Sequence, residues 1–188
     1  MRQIIYIIIF SSLAITIAGC INKVPTSENQ KAIDWKTQLR ETLPEFGHRN
    51  WILIVDKAFP AQNADGITII NTGEDLLDVL SWTLQEIEHS THVSPIVYTD
   101  KELNFITSDL VINIGEYRSQ LDKILGQFDR QVIMHDSVFV KIDEASKLFK
   151  ILVLKTEEVI AYSSVFIELD CKYWSAEKEN ILRGAIKE

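Results

Sequence analysis

The stretch Gly47-His48-Arg49-Asn50-Trp51-Ile52-Leu53-Ile54-Val55-Asp56-Lys57-Ala58-Phe59-Pro60-Ala61 decides how the chain is read. Trp51–Val55 is an unbroken apolar run. Side chains alternate between the two faces of a strand, so such a run fits only a strand covered on both faces. The polar segment before it reads as a turn. Asp56 stands where the run stops, and Phe59-Pro60 opens a polar loop that reaches Gly66.

Working outward, Ala32, Trp35, Leu39 and Leu43 recur at spacings of three and four, which predicts one apolar stripe of a helix. Pro44 should end it, because the residue before a proline is pushed out of the α region. Residues 67–70 predict a second short strand. Thr72-Gly73-Glu74-Asp75 resembles a capping box, with Thr72 as the cap. The helix that follows carries Leu76, Leu77, Leu80, Leu84 and Ile87 on one side. Strands are expected at 93–98, 138–142, 151–154 and 165–169, and helices around 117–125 and 144–149. Strands alternating with helices predict an α/β architecture, helices laid against one sheet. No internal repeat or low-complexity tract interrupts the pattern.

The chain has 188 residues, with 19 Lys+Arg against 27 Asp+Glu and a formal charge of -8. One domain with a short appendage accounts for that length. The acidic balance excludes a nucleic-acid partner, since phosphate binding needs a basic face. Arg2, the apolar run 4–10, residues 13–17 and then Ala18-Gly19-Cys20 have the layout of a secretory signal peptide. The ending Ile17-Ala18-Gly19-Cys20 resembles the bacterial lipobox, in which the cysteine thiol receives the lipid. On that reading residues 1–19 are a lipoprotein signal peptide, 20–30 are the lipidated Cys20 and a tether, and 31–188 are the domain. The protein is then expected in the bacterial cell envelope, held to the membrane by a lipid anchor on the extracytoplasmic side. Acyl chains contribute about 0.8 kcal/mol per buried methylene. Cys171 would be left without an intramolecular partner, as a small apolar side chain.

By spacing alone, His48 and Asp56 are a loop histidine and a strand-end carboxylate that caps the next turn. They stand at opposite ends of one strand, more than roughly 20 Å apart at about 3.3 Å per residue. They can share a site only if a second subunit or a folded-back loop joins them.

The segment resembles the motif of the ribose pyranase and fucose mutarotase (RbsD/FucU) family: Gly-His, a polar pair, an apolar strand, Asp, then Phe-Pro-Ala. The similarity continues through Ala64-Asp65-Gly66-Ile67 and Asp75-Leu76-Leu77-Asp78-Val79-Leu80. It returns at Lys155-Thr156-Glu157-Glu158-Val159-Ile160-Ala161-Tyr162-Ser163-Ser164, similar to the family's Thr-Gly-Glu, Tyr and Asn before a last strand. The resemblance implies a single domain with a mixed β-sheet flanked by helices. It also implies interconversion of the anomers or ring forms of a monosaccharide, without cofactor or metal. His48 takes the role of general acid, and Asp56 binds sugar hydroxyls and orients the histidine. Tyr162 matches the family's tyrosine, and Ser164 stands where the family has Asn. A further family position, His or Arg, lies upstream; an ungapped count from Thr156 lands on Val140, with Lys141 beside it as the substitute. Family members form ring-based oligomers with sites between subunits, so a homo-oligomer is expected.

One imidazole suits the chemistry, because mutarotation delivers a proton to the ring oxygen and removes one from the anomeric hydroxyl. A histidine, unperturbed near about pKa 6.5, serves in both directions, and such assistance typically contributes about 10²–10⁴-fold. The remaining residues read more plainly. His89 and His92 are surface histidines, and His135-Asp136 lies in a polar turn, two ligands short of a zinc site. Trp35 and Trp51 are core residues. Beside the mutarotase reading stand a carbohydrate-binding module of the same fold without catalysis, and an interaction module on a lipid anchor.

Overall fold

The computed structural model describes residues 34–186. The expected signal peptide, lipidation at Cys20 and tether fall on residues 1–30, outside the described residues. Six strands form one sheet: β1 (Trp51–Val55), β2 (Ile67–Asn71), β3 (Val93–Asp100), β4 (Arg130–Ile133), β5 (Ile151–Lys155) and β6 (Val165–Cys171), in the order β2-β5-β1-β6-β3-β4. β1 pairs in parallel with β5, β5 with β2, and β3 with β4, while β6 runs antiparallel between β1 and β3. Five strands therefore point the same way, and their carboxyl ends open on one edge of the sheet. In open α/β sheets that edge is where ligands bind.

Among the described residues, five α-helices accompany the sheet: α1 (Trp35–Thr42), α2 (Leu76–His89), α3 (Ile114–Leu125), α4 (His135–Ser146) and α5 (Ala176–Ala185). β1 is buried along its whole length. Ile52 and Ile54 enter one core with Leu39 of α1, Leu80 and Leu84 of α2, and Leu121 and Leu125 of α3. Trp51, Leu53 and Val55 enter a second core with Val138 and Ile142 of α4. Alternation along one strand thus builds both faces, and helices cover the sheet on both sides.

Two expectations need correcting, and one strand was not expected. Residues 138–142 are not a strand but the middle of α4, whose buried Val138, Ile142 and Ala145 are spaced four and three apart. The neighbouring Val140 is 57% exposed, so the local β-branched run is overruled by packing at helical period. The sixth strand is β4, a four-residue edge strand of sequence Arg-Gln-Val-Ile with no fully buried residue, too short to show an apolar alternation. The Thr72 cap fails as well: Asp75 is the residue that caps α2, with no side-chain bond. Thr72 instead donates its hydroxyl to the Lys155 carbonyl at 3.0 Å and accepts from the Glu74 N–H, tying that turn to β5.

Candidate functional site

At the carboxyl edge, a cleft of about 520 Å³ is lined by Asp56, Lys57, Ala58, His135, Val159, Ile160, Ala161 and Tyr162. Each polar member is held by the local structure. Asp56 follows the last residue of β1, and one carboxylate oxygen accepts the Ala58 N–H at 2.8 Å. The other accepts the Ser164 hydroxyl at 2.9 Å, and that hydroxyl in turn accepts the Asp56 N–H at 3.2 Å. Ser164 is buried, one residue before β6 begins beside the end of β1. Its hydroxyl is committed to Asp56 and does not line the cleft.

Tyr162 adopts a left-handed backbone, φ 61, in the turn before β6. A non-glycine residue seldom takes that conformation, and held ones cluster at functional sites. The turn is fixed from within: Glu158 accepts the N–H groups of Val159 and Ile160 with one carboxylate oxygen, and Ser163 donates its hydroxyl to the Ile160 carbonyl. The Tyr162 ring meets the His135 ring edge to face, with centroids 5.2 Å apart. Lys57 pairs with Glu157 at the rim.

His135 begins α4, directly after the edge strand β4. Its Nδ1 lies 2.7 Å from Oδ2 of Asp100, the last residue of β3. Both carboxylate oxygens of Glu102 accept its backbone N–H at 3.1 Å. A negative group at the first turn of a helix satisfies an otherwise unpartnered N–H and suits the helix dipole. Asp100 is 1% exposed. Burial pushes its carboxyl up to about 6, against the opposing pull of the His135 hydrogen bond. Burial also raises the Tyr117 hydroxyl; that group donates to the Ser163 carbonyl under the same turn.

The structure therefore gathers Asp56, Tyr162 and, behind Asp56, Ser164. It does not bring His48 to them. His48 is exposed in the turn at the amino end of β1, the opposite edge of the sheet. That turn is pinned by Asn50, whose carboxamide oxygen accepts the Gly47 N–H at 2.8 Å, and by the Arg49 N–H donating to the Leu169 carbonyl at 2.7 Å. Lys141 does not line the cleft either. It lies two turns along α4 in a separate depression with Arg49, Trp51 and Glu168, its ammonium 5.3 Å from the Tyr98 ring centre.

His135 stands at the start of α4 and not in the polar turn expected for His135-Asp136, and sequence reading assigned neither it nor Asp100 to this cleft. The ungapped count from Thr156 reached Val140, five positions past His135, because it could not allow for the length of α4 and the turn after it. Two signals were available: a histidine following the possible strand sequence 130–133, and an acid at the end of β3. Among the described residues, no three His, Cys, Asp or Glu side chains converge on a point where a metal ion could sit. No described helix is long and apolar enough to cross a membrane.

The mixed sheet with helices on both faces is an α/β fold that this chain shares with a solved RbsD structure. Bacillus subtilis RbsD complexed with D-ribose superimposes with a TM-score of 0.51 at 16% identity, over 71% of this chain and 92% of that one. The fucose mutarotase from Streptococcus pneumoniae, in complex with L-fucose, gives a TM-score of 0.49 at 18% identity, over 74% and 97%. FucU from Bifidobacterium longum gives 0.48 at 14% identity, over 71% and 94%. No protein-family model matches the chain, and no curated protein matches it in sequence. At these identities the likeness to the ribose complex shows the fold.

Proposed function

We propose that the cleft at the carboxyl edge binds a monosaccharide and assists interconversion of its anomers or ring forms by histidine acid/base catalysis. The observation that carries this reading is His135 standing in an open cleft with the Asp56 carboxylate and the Tyr162 hydroxyl. A cleft of about 520 Å³ has ample room for one sugar ring. Asp56 accepts sugar hydroxyls, and Tyr162 donates or accepts. The reaction needs a proton moved between the anomeric hydroxyl and the ring oxygen, and a neutral imidazole can take the first and return the second.

His48 takes part only as a residue of a second copy, whose exposed turn enters this cleft in a homo-oligomer. Lys141 has no place in the cleft on this reading, and Ser164 acts by holding Asp56. The lipobox-like ending at Cys20 supports a lipid-anchored protein on the extracytoplasmic side of the envelope. Labelling with a palmitate analogue, lost in Cys20→Ala, tests that part.

The fold resemblance to the ribose complex adds support for a sugar ligand and makes ribose the first sugar to try. Exchange spectroscopy by NMR on a panel of monosaccharides, with the full chain in detergent, tests the activity. Faster anomer or ring-form exchange is expected, lost in His135→Ala. Unchanged exchange for every sugar would overturn the catalytic reading. Broadened sugar lines in that case would mark the same fold acting as a carbohydrate-binding module.

A further inference from the structure

We infer that Asp100 is a positioning residue for His135: it holds the imidazole proton on Nδ1, so that the ring presents a bare Nε2 to the cleft. The inference rests on the proposed role of His135 and adds to it a tautomer and the residue that sets it.

An ionised carboxylate can only accept hydrogen bonds. With Oδ2 of Asp100 at 2.7 Å, Nδ1 of His135 must be the donor. A neutral imidazole carries one ring proton, so Nε2 is then the acceptor. The choice of tautomer follows from the bond made by the other nitrogen. The rest of the ring is held as firmly. Phe139 flanks it at 4.7 Å between centroids and Tyr162 at 5.2 Å, while Glu102 fixes the backbone N–H of the same residue. The segment carrying Glu102 is itself clamped by Arg118, whose guanidinium donates to the carbonyls of Leu103, Asn104 and Ile106.

Asp100 is poorly placed for stability. Its second oxygen, Oδ1, is buried with no hydrogen-bond partner among the described residues. Asp56 and Glu102 add further negative charge around it. Removing a carboxylate from water with half its acceptors unused is unfavourable, and an apolar side chain there would be less so. Lys57 and Tyr162 face the same cleft, but neither bonds to Asp100. The only hydrogen bond the Asp100 side chain makes among the described residues goes to His135. That bond accounts for a carboxylate at this position.

The test is long-range ¹H–¹⁵N NMR on the full chain with ¹⁵N-labelled histidine, in detergent at pH 7.5, with His135 assigned from a His135→Gln sample. The wild type should show a protonated Nδ1 and a bare Nε2. Asp100→Ala should move the proton to Nε2. Exchange kinetics should show kcat reduced at least about tenfold in Asp100→Asn, within the range of acid/base assistance, with KM changed less than about threefold. A wild-type ring protonated on Nε2, or a tautomer unchanged in Asp100→Ala, would overturn the inference, and the first of these needs no variant to fold. Absence of sugar exchange in the wild type would remove the proposed function. A tautomer shift in the same samples would still uphold the pairing.

Discussion

The enclosed Asp100 carboxylate makes a quantitative prediction about stability. Burial raises its carboxyl from the ordinary 3.8 to about 6 in the folded protein. Between those two values the folded chain holds a proton that the unfolded chain has released. Stability tied to this group is therefore complete at acid pH and is lost as pH rises through the window from about 4 to about 6. At about 1.4 kcal/mol per pKa unit, the rise corresponds to about 3 kcal/mol. Asp100→Asn keeps the shape and removes the titration. The buried amide carries its own cost, about 1–3 kcal/mol if a polar group is left unpartnered, but that cost does not vary with pH. The stability of the variant relative to wild type should thus improve by about 2 kcal/mol between pH 4 and pH 7. Urea unfolding of both proteins at half-unit steps of pH measures this directly, with equal m-values as the check that one transition is compared. Profiles that stay parallel within about 0.5 kcal/mol, inside the usual noise of such comparisons, would refute the argument that Asp100 is a costly buried charge. Taken with the loss of exchange expected of the same variant, a gain in stability at neutral pH would show a residue kept for chemistry at the expense of folding.

Two further outcomes follow from the site. Ser164→Ala removes the hydroxyl that both donates to and accepts from Asp56, so sugar affinity should fall about fivefold, the equivalent of about 1 kcal/mol for one hydrogen bond. Unfolding free energy should change by less, and sugar titrations unchanged from wild type would show that Asp56 needs no such support. Mixing His48→Ala with His135→Ala should restore about a quarter of wild-type exchange, the share of clefts that random subunit mixing gives two intact histidines. No recovery from two individually inactive, well-folded variants would exclude a cleft shared between copies.

Much of the architecture follows from local pattern. The apolar run Trp51–Val55 can be dry on both faces only in the middle of a covered sheet, and its residues alternate between the two cores. α1 and α2 follow from leucines at helical spacing, and β2, β5 and β6 from short apolar runs between polar turns. The exceptions share a cause. α4 and β4 lie next to one another, where local preference and final packing disagree: a β-branched run was needed as a helix covering one face of the sheet, and a polar segment was needed at its edge. α5 carries no buried residue and so no stripe for the core to select.

The candidate site divides along the same line. Asp56 and Tyr162, which the structure brings to one cleft, each sit beside a short, recognisable run of sequence. His135 could not be found by counting, since the distance along the chain from Thr156 depends on how many residues α4 uses to cross the sheet. Pairing His135 with Asp100 joins residues 35 positions apart, and the Ser164–Asp56 bond spans 108. Sequence determined most of the elements and their acidic, apolar or polar character, because those depend on near neighbours. Strand direction and order belong to the tertiary structure: with five strands parallel, the ends of β1, β3 and β4 and the start of β6 meet on one edge. The same order leaves His48 on the other, since a strand keeps its two ends apart by its own length.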